Sequence, residues 1–357
     1  MAAALGLARR GLGRVAPNPS VGCVIVAASG EVVGRGHTQP GGRPHAETEA
    51  LAMAGGRARG ATAYVSLEPC AHHGETPPCA EALAAAGIAR CVIAADDPDP
   101  RVAGAGIAIL ERAGVSVTRH VLREEAEDLN AGFLMRLAKG RPLVTLKLAT
   151  SLDGKIATLS GKSKWITGPA ARSRGHLLRA EHDAILIGSG TALADDPELT
   201  CRLPGLADRS PRRIVLDTRL RLSPTARLSG PGGWLVTGNG YQAADLARYR
   251  NAGMEVIEVE RLRDRLDIGA ALRALGARGV TRLLVEGGAA ITTSLLAADL
   301  VDRLAWFRAP MPLGNDGMAA IGELGVARLD LGHRFALVSS QRLGDDEFAL
   351  YRRATKI

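Results

Sequence analysis

The sequence predicts two successive α/β domains. Segments with helical and strand periodicity alternate along a chain of 357 residues, a length that suits two domains of ordinary size. Hydrophobic residues make up 46% and charged residues 23%, enough apolar material for each domain to bury its own core. Chain breakers gather in mid-sequence at Lys139-Gly140-Arg141-Pro142, which places the boundary near 141 and the domains at 1–141 and 142–357.

In the first domain, 2–12 reads as helix, and 21–26 and 31–36 read as strands around a Ser29-Gly30 turn. Helix is expected at 45–54, strand at 61–67, helix at 79–86, strand at 90–95, helix at 103–113 and strand at 115–118. The stretch 123–138 reads as one closing helix, and Asp96-Asp97-Pro98-Asp99-Pro100 as a turn with no metal assigned to it. In the second domain, strands are expected at 143–149, 184–188, 213–217, 233–237, 255–259 and 282–286. Helices are expected at 243–250, 269–277 and 291–298. No internal repeat is evident, so two different enzymes joined end to end fit better than a duplication.

Composition narrows the function. No apolar run approaches the roughly 20 residues a membrane helix needs, and the Ala-rich start is shorter than a signal-peptide core, with its arginines after the apolar stretch. The expectation is a cytoplasmic protein. The absence of acidic residues before Glu31 would suit a transit peptide, but cleavage there would remove a strand. Five cysteines, an odd number, argue against a disulfide framework. A net charge of +8 could suit nucleic acid, yet the basic residues are dispersed and aromatic content is only 3%, leaving few stacking platforms. Small phosphorylated ligands explain the charge as well.

The pattern that carries most chemistry is His45-Ala46-Glu47 followed by Pro69-Cys70 and Cys79. One imidazole and two thiolates are zinc ligands, and three protein ligands leave a tetrahedral position for water. Two thiolates cancel the ion's charge, so an auxiliary base is needed; Glu47, two residues beyond the first ligand, fits the proton shuttle of zinc deaminases. Eight residues separate the cysteines where such enzymes usually have two. Either this insertion is a surface loop that leaves Cys70 and Cys79 as small buried hydrophobes, or Pro77-Pro78 stiffen it so that Cys79 returns to the metal at a helix start. A structural zinc completed by His72 or His73 is the alternative to a catalytic one.

Around these positions, Leu67-Glu68-Pro69-Cys70-Ala71-His72-His73-Gly74, Thr76-Pro77-Pro78-Cys79 and Pro17-Asn18-Pro19-Ser20-Val21-Gly22 resemble the deaminase half of the bifunctional riboflavin-biosynthesis deaminase/reductases. The resemblance continues through Leu146-Lys147-Leu148, Ser151-Leu152-Asp153-Gly154, Trp165-Ile166-Thr167, Asp195-Asp196-Pro197 and Val285-Glu286-Gly287-Gly288. It implies an N-terminal cytidine-deaminase-like three-layer α/β/α domain and a C-terminal dihydrofolate-reductase-like α/β domain. It also implies zinc and NADPH as cofactors, a phosphorylated pyrimidine as substrate, and a homo-oligomer, with neither nucleic acid nor membrane as partner.

Carried over by position, the resemblance makes Asn18, His37 and His72 deaminase pocket residues, and places Lys147 near the reacting sugar. Ala149, Trp165, Thr191, Asp195, Thr218, Gly288, Ala289, Ala290, Ile291, Thr292, Thr293 and Ser294 would meet the nicotinamide cofactor. Ser163, Arg179, Leu199, Arg202 and Glu286 would meet the substrate, with the two guanidinium forks suited to its phosphate. Gly287 and Gly288 lie between a strand and a helix, where backbone N–H groups can approach an anion. Arg219 and Arg221 would favour a 2′-phosphate. Glu75 departs from the basic residue often found there in this family, a loss for which Arg43 could compensate. A deaminase acting on nucleic acid and a zinc-stabilised interaction module are the rival readings.

Overall fold

The computed structural model describes residues 1–73, 77–100 and 102–354. Glu75 lies outside the described residues. The chain divides into two compact units, Met1–Gly140 and Arg141–Ile357.

The first unit is built on a five-stranded sheet. Its strands are β1 (Gly22–Val26), β2 (Val32–His37), β3 (Thr62–Val65), β4 (Arg90–Ile93) and β5 (Ser116–Thr118), in the order β2-β1-β3-β4-β5. Strand β1 runs antiparallel to both neighbours, and β3, β4 and β5 run parallel. The helices are α1 (Ala2–Ala8), α2 (Ala46–Ala54), α3 (Cys79–Ala85), α4 (Ala105–Arg112), α5 (Arg123–Leu129) and α6 (Ala131–Lys139).

Two glycines show that helices cover both faces. A Cβ on Gly22 would lie 2.0 Å from the Ala4 carbonyl of α1, and one on Gly36 would lie 2.1 Å from the Ala46 carbonyl of α2. Gly36 pairs with Cys23, and successive residues of a strand face opposite ways, so α1 and α2 lie on opposite sides of the sheet. Three layers result. Two expectations are corrected. The 2–12 helix stops at Ala8 and finishes as a 3-10 turn, Arg9–Gly11. The single helix over 123–138 is two, divided at Asn130, whose buried amide accepts from Ser20 N at 2.9 Å and donates to Ser20 O at 3.1 Å. That pairing fixes Asn130 at ψ 14°, outside the helical range, and turns the chain.

The second unit holds a nine-stranded sheet. In chain order its elements are β6 (Leu143–Thr150), β7 (Lys155–Ala157), α7 (Pro169–Ala180), β8 (Ala184–Gly188), α8 (Ser189–Asp195), β9 (Arg212–Leu216), β10 (Gly233–Gly238), α9 (Ala243–Asn251) and β11 (Glu255–Val259). There follow the short β12 (Arg261–Leu262) and β13 (Arg265–Leu266), α10 (Ile268–Ala277), β14 (Arg282–Glu286), α11 (Ala289–Ala297), β15 (Arg303–Arg308), β16 (Met318–Ala319), β17 (Phe335–Leu343) and β18 (Asp346–Arg353). The large sheet is ordered β11-β10-β9-β8-β14-β6-β15-β18-β17, parallel up to β15, with β18 and β17 added antiparallel.

Both faces of this sheet are covered, as a parallel sheet requires. Along β8, Ala184 and Leu186 join one apolar cluster, while Ile185 and Ile187 join the other. The α7 and α8 helices, β15 and the antiparallel β17 and β18 are additions to the elements read from the sequence. In α7 the polar Arg172, Ser173, Arg174 and His176 obscure an apolar stripe of Ala171, Leu178 and Ala180. In β17 a mostly exposed strand shows no alternation to read. No helix among the described residues is long and apolar enough to cross a membrane.

Candidate active sites

The three proposed zinc ligands meet at the edge where strands of the first unit end and helices begin. His45 is the N-cap of α2, Glu47 sits in its first turn, and Cys79 is the first residue of α3. The chain leaves at Cys70 and returns so closely that Cys79 N donates to Cys70 Sγ at 3.2 Å and Ala80 N to Cys70 O at 3.2 Å. The long insertion therefore does not separate the cysteines in space. His45 Nδ1 lies 3.3 Å from Cys79 Sγ and 3.6 Å from Cys70 Sγ, and the three ligand atoms lie within 4.8 Å of one another. Tetrahedral zinc with ordinary bond lengths would put nitrogen and sulfur about 3.6 Å apart. Among the described residues the cluster stops at three; His73 turns instead to Glu81, 3.5 Å away.

The electrostatics point the same way. The Cys70 thiol is pulled down to about 4, first by its hydrogen bond with Cys79 and, against burial, by His45. Cys79 is pushed far up, first by the Cys70 sulfur and then by burial. The site as it stands favours one thiolate and resists a second, and a divalent cation between the sulfurs lets both ionise. Glu47 is 3% exposed. Burial, followed by the Cys70 charge, pushes its carboxyl up to about 7, and it is hydrogen-bonded with Cys79.

Over this cluster opens a cavity of about 170 Å³, lined by Asn18, His45, Glu47, Cys70 and His72, and also by Arg43, Glu68, Asp97, Asp99 and Phe133. His72 Nδ1 is buried there without a hydrogen-bond partner among the described residues, and a buried polar atom in that state is one a ligand can satisfy. Asn18 packs against Gly42, at whose position a Cβ would collide with the Asn18 amide. His37 does not line the cavity. It ends β2, with Gln39 Nε2 3.5 Å from its Nδ1. Glu68, Asp97 and Asp99 were not read as site residues; the signal for them is their place just beyond the carboxyl ends of β3 and β4, where α/β folds put ligands.

In the second unit, Lys147, three residues before the end of β6, is the register partner of Glu286, the last residue of β14. Lys147 Nζ lies 3.6 Å from Glu286 Oε2 and 5.8 Å from the centre of the Phe307 ring. Arg179, on α7, donates to Glu286 through Nε at 2.8 Å and Nη2 at 2.9 Å, and to Thr200 O through Nη1 at 3.0 Å. Burial raises the Glu286 carboxyl, but Lys147 and Arg179 outweigh it and hold it down at about 2. The Arg179 fork is thus engaged by a carboxylate, where a phosphate contact was expected. Leu199 is 3% exposed, its side chain part of an apolar cluster. Arg202 is exposed, with Nη1 3.5 Å from both Glu198 Oε2 and Thr200 Oγ1.

The strand-to-helix turn at Glu286 leads into α11, with Gly288 as N-cap donating to Thr191 Oγ1 at 3.2 Å. Gly287 has a packing reason: its Cβ would lie 2.1 Å from Ile291 Cγ2. Gly288 faces open space apart from Thr191, so a ligand can approach it. Thr292 Oγ1 is buried without a partner among the described residues, whereas the hydroxyls of Thr293 and Ser294 donate back to the carbonyls of Ala289 and Ala290, and Ile291 is buried. Trp165 is 67% exposed, with Arg172 Cζ 4.6 Å from its ring, and Ser163 is half-buried two residues before it. Asp195 ends α8 with Lys164 Nζ 3.5 Å away, Ala149 lies on β6, and Thr218 O accepts from Tyr241 at 2.7 Å. Arg221 donates to Ser189 Oγ at 2.8 Å, and Arg219 N to Asp217 Oδ1 at 3.3 Å.

Comparison with known proteins settles the family. The cytidine and deoxycytidylate deaminase zinc-binding region matches residues 1–95, and the RibD C-terminal domain matches residues 142–348. The riboflavin biosynthesis protein RibD of Escherichia coli is 42% identical over 97% of this chain and 96% of its own. That of Bacillus amyloliquefaciens is 45% identical over 88% and 85%. Among solved structures, Acinetobacter baumannii RibD superposes with a TM-score of 0.89 at 38% identity, covering 99% of this chain and 98% of that one. A Thermotoga maritima diaminohydroxyphosphoribosylaminopyrimidine deaminase/5-amino-6-(5-phosphoribosylamino)uracil reductase superposes at 0.85 with 33% identity, covering 99% and 97%. With the deaminase geometry in the first unit and both domain families matched in order, the chain belongs to the RibD family of bifunctional riboflavin-biosynthesis enzymes, which join a zinc-binding deaminase to a reductase.

Proposed function

We propose that the first unit deaminates 2,5-diamino-6-ribosylamino-4(3H)-pyrimidinone 5′-phosphate and that the second reduces the ribosyl group of the product with NADPH, giving 5-amino-6-(5-phospho-D-ribitylamino)uracil. The observation that carries the first half is the meeting of His45, Cys70 and Cys79 beneath a cavity whose floor includes the buried Glu47 carboxyl. His45 Nδ1, Cys70 Sγ and Cys79 Sγ would hold the zinc, which supplies the Lewis acidity that makes water a nucleophile at neutral pH. Glu47 takes a proton from the attacking water on a carboxylate oxygen and delivers it to the 2-amino nitrogen. A C–O bond forms at C2, the C–N bond breaks, and ammonia leaves. His72 Nδ1 and the Asn18 amide orient the pyrimidine edge.

In the second unit, the start of α11 and the Thr191 hydroxyl would receive the cofactor phosphates, and NADPH supplies the hydride. Glu286 holds Lys147 on β6, where its ammonium can bind the ribose hydroxyls and donate a proton as the ring opens. Thr293 and Ser294 would meet the cofactor as acceptors, since their hydroxyl hydrogens already go to the carbonyls of Ala289 and Ala290. Leu199 would act through its backbone.

The test supplies the phosphorylated diaminopyrimidine to the full chain, following ammonia release with and without NADPH and NADPH oxidation by its absorbance. Ammonia release independent of NADPH, followed by oxidation when the cofactor is added, is the expected result. Ammonia with no oxidation would refute the second half, and oxidation with no ammonia the first.

A further inference from the structure

We propose that Glu68 is a positioning residue of the deaminase. Its carboxylate latches the cavity wall that carries Asp97, Asp99 and Val102 to the turn that delivers Cys70. The inference deepens the deaminase reading of this site and rests on it.

Helix α4 has Gly104 as its N-cap, which offers no side-chain cap, so its first amides need an acceptor from another part of the chain. Glu68 is that acceptor. Its Oε2 accepts from Gly104 N at 3.1 Å and Asp97 N at 3.4 Å, and its Oε1 from Gly106 N at 3.1 Å and Ile107 N at 3.3 Å. Four N–H groups occupy the acceptor positions of one carboxylate, leaving little capacity for substrate although Glu68 borders the cavity. The helix pole adds a favourable interaction with the negative charge. Glu68 is itself anchored: it is 3% exposed, and its amide donates to Ala95 O at 2.9 Å.

A second observation shows that wall and turn touch. A Cβ on Gly106 would lie 2.0 Å from the Pro69 carbonyl, so the first turn of α4 lies against the residue that precedes the Cys70 ligand. Glu68 and Gly106 together hold the substrate-facing wall at one distance from the metal. Glutamine keeps the shape of Glu68 but points an NH2 group at amides that need an acceptor, leaving buried donors unmatched. The wall then loosens while the three ligands remain.

The experiment uses the full zinc-loaded chain and its E68Q and G106A variants. Deaminase kcat and KM are measured per mole of bound zinc, and cobalt-substituted samples report the ligand geometry through their thiolate and d–d absorption bands. Leaving buried amide donors unmatched corresponds to about 5- to 150-fold, and here the loss should fall on KM, with zinc content and cobalt bands unchanged. KM at the wild-type value, or zinc loss with altered bands, would overturn the proposal; the latter would tie Glu68 to the ligands and not to the wall. Hydrogen exchange on the wild-type protein needs no variant to fold: the amides of Gly104, Gly106 and Ile107 should exchange slowly, and fast exchange would overturn the latch. A wild type that releases no ammonia would refute the deaminase reading alone, because the exchange result still decides the latch.

Discussion

Replacing Glu286 by Gln tests whether one buried carboxylate organises the second site. Glu286 neutralises Arg179, which is 14% exposed on its side chain, and Lys147, which is 22% exposed. Its carboxyl sits at about 2 against an ordinary 4.5, a difference worth about 3 kcal/mol of folding stability at neutral pH. Breaking a buried ion pair by removing one partner gives a similar figure, about 3–5 kcal/mol. The sign follows from proton counts. The unfolded chain binds a proton near 4.5 and the folded chain near 2, so the stabilisation is complete above 4.5 and is lost as pH falls toward 2. About 1.4 kcal/mol should already be gone at pH 3.5. All three tryptophans, Trp165, Trp234 and Trp306, lie in the second unit, so their fluorescence reports its unfolding alone. In urea at pH 7, E286Q should move the fluorescence midpoint down by about 1 M, and the gap to wild type should narrow as the pH is lowered. Equal midpoints at pH 7, or a gap that ignores pH, would refute the reasoning.

Three further outcomes follow from the same geometry. Glu47→Gln should lower deamination by about 10²–10⁴ while bound zinc and reduction persist; loss of metal would reassign Glu47 to the ligand set. His182 is fully buried, with Nδ1 2.6 Å from Leu178 O and Nε2 2.9 Å from Thr145 Oγ1, and burial, then Arg282, hold its pKa down at about 3. Its depressed pKa means that stability contributed above the unfolded value of 6.5 is lost on acidification, at up to about 1.4 kcal/mol per pH unit between 6.5 and 3. An NMR titration should leave this ring neutral at pH 5, and a midpoint near 6.5 would contradict its burial. Gly287→Ala should destabilise the second unit by about 1–3 kcal/mol through the clash with Ile291, and Ile291→Ala in the same chain should restore part of it; no effect of the first change would remove the packing reason for Gly287.

The legible parts of this protein were those in which local chemistry and local pattern agree. His45, Cys70 and Cys79 carry ligand chemistry in their side chains, and short returns such as Cys79 N to Cys70 Sγ do the rest. Buried strands such as β8 and the centre of β14, Leu283-Leu284-Val285, read as continuous apolar runs. Features set by distant partners were hidden. Nothing near Asn130 announces that its amide pairs with Ser20 across 110 residues, so one helix was expected where two stand. Glu68 reads as one acid in a motif until the amides of α4 fold over it. Arg179 reads as a phosphate ligand because its bidentate partner Glu286 is 107 residues away. The mostly exposed β17 lacks the alternation that betrays a half-buried strand.

X-ray absorption at the zinc edge of the full-length enzyme tests the central claim most directly. Two sulfur neighbours at about 2.3 Å and one imidazole nitrogen at about 2.0 Å, with a fourth light atom that a pyrimidine transition-state analogue perturbs, are the predicted result. A fourth protein ligand unaffected by the analogue, or a single sulfur, would contradict it.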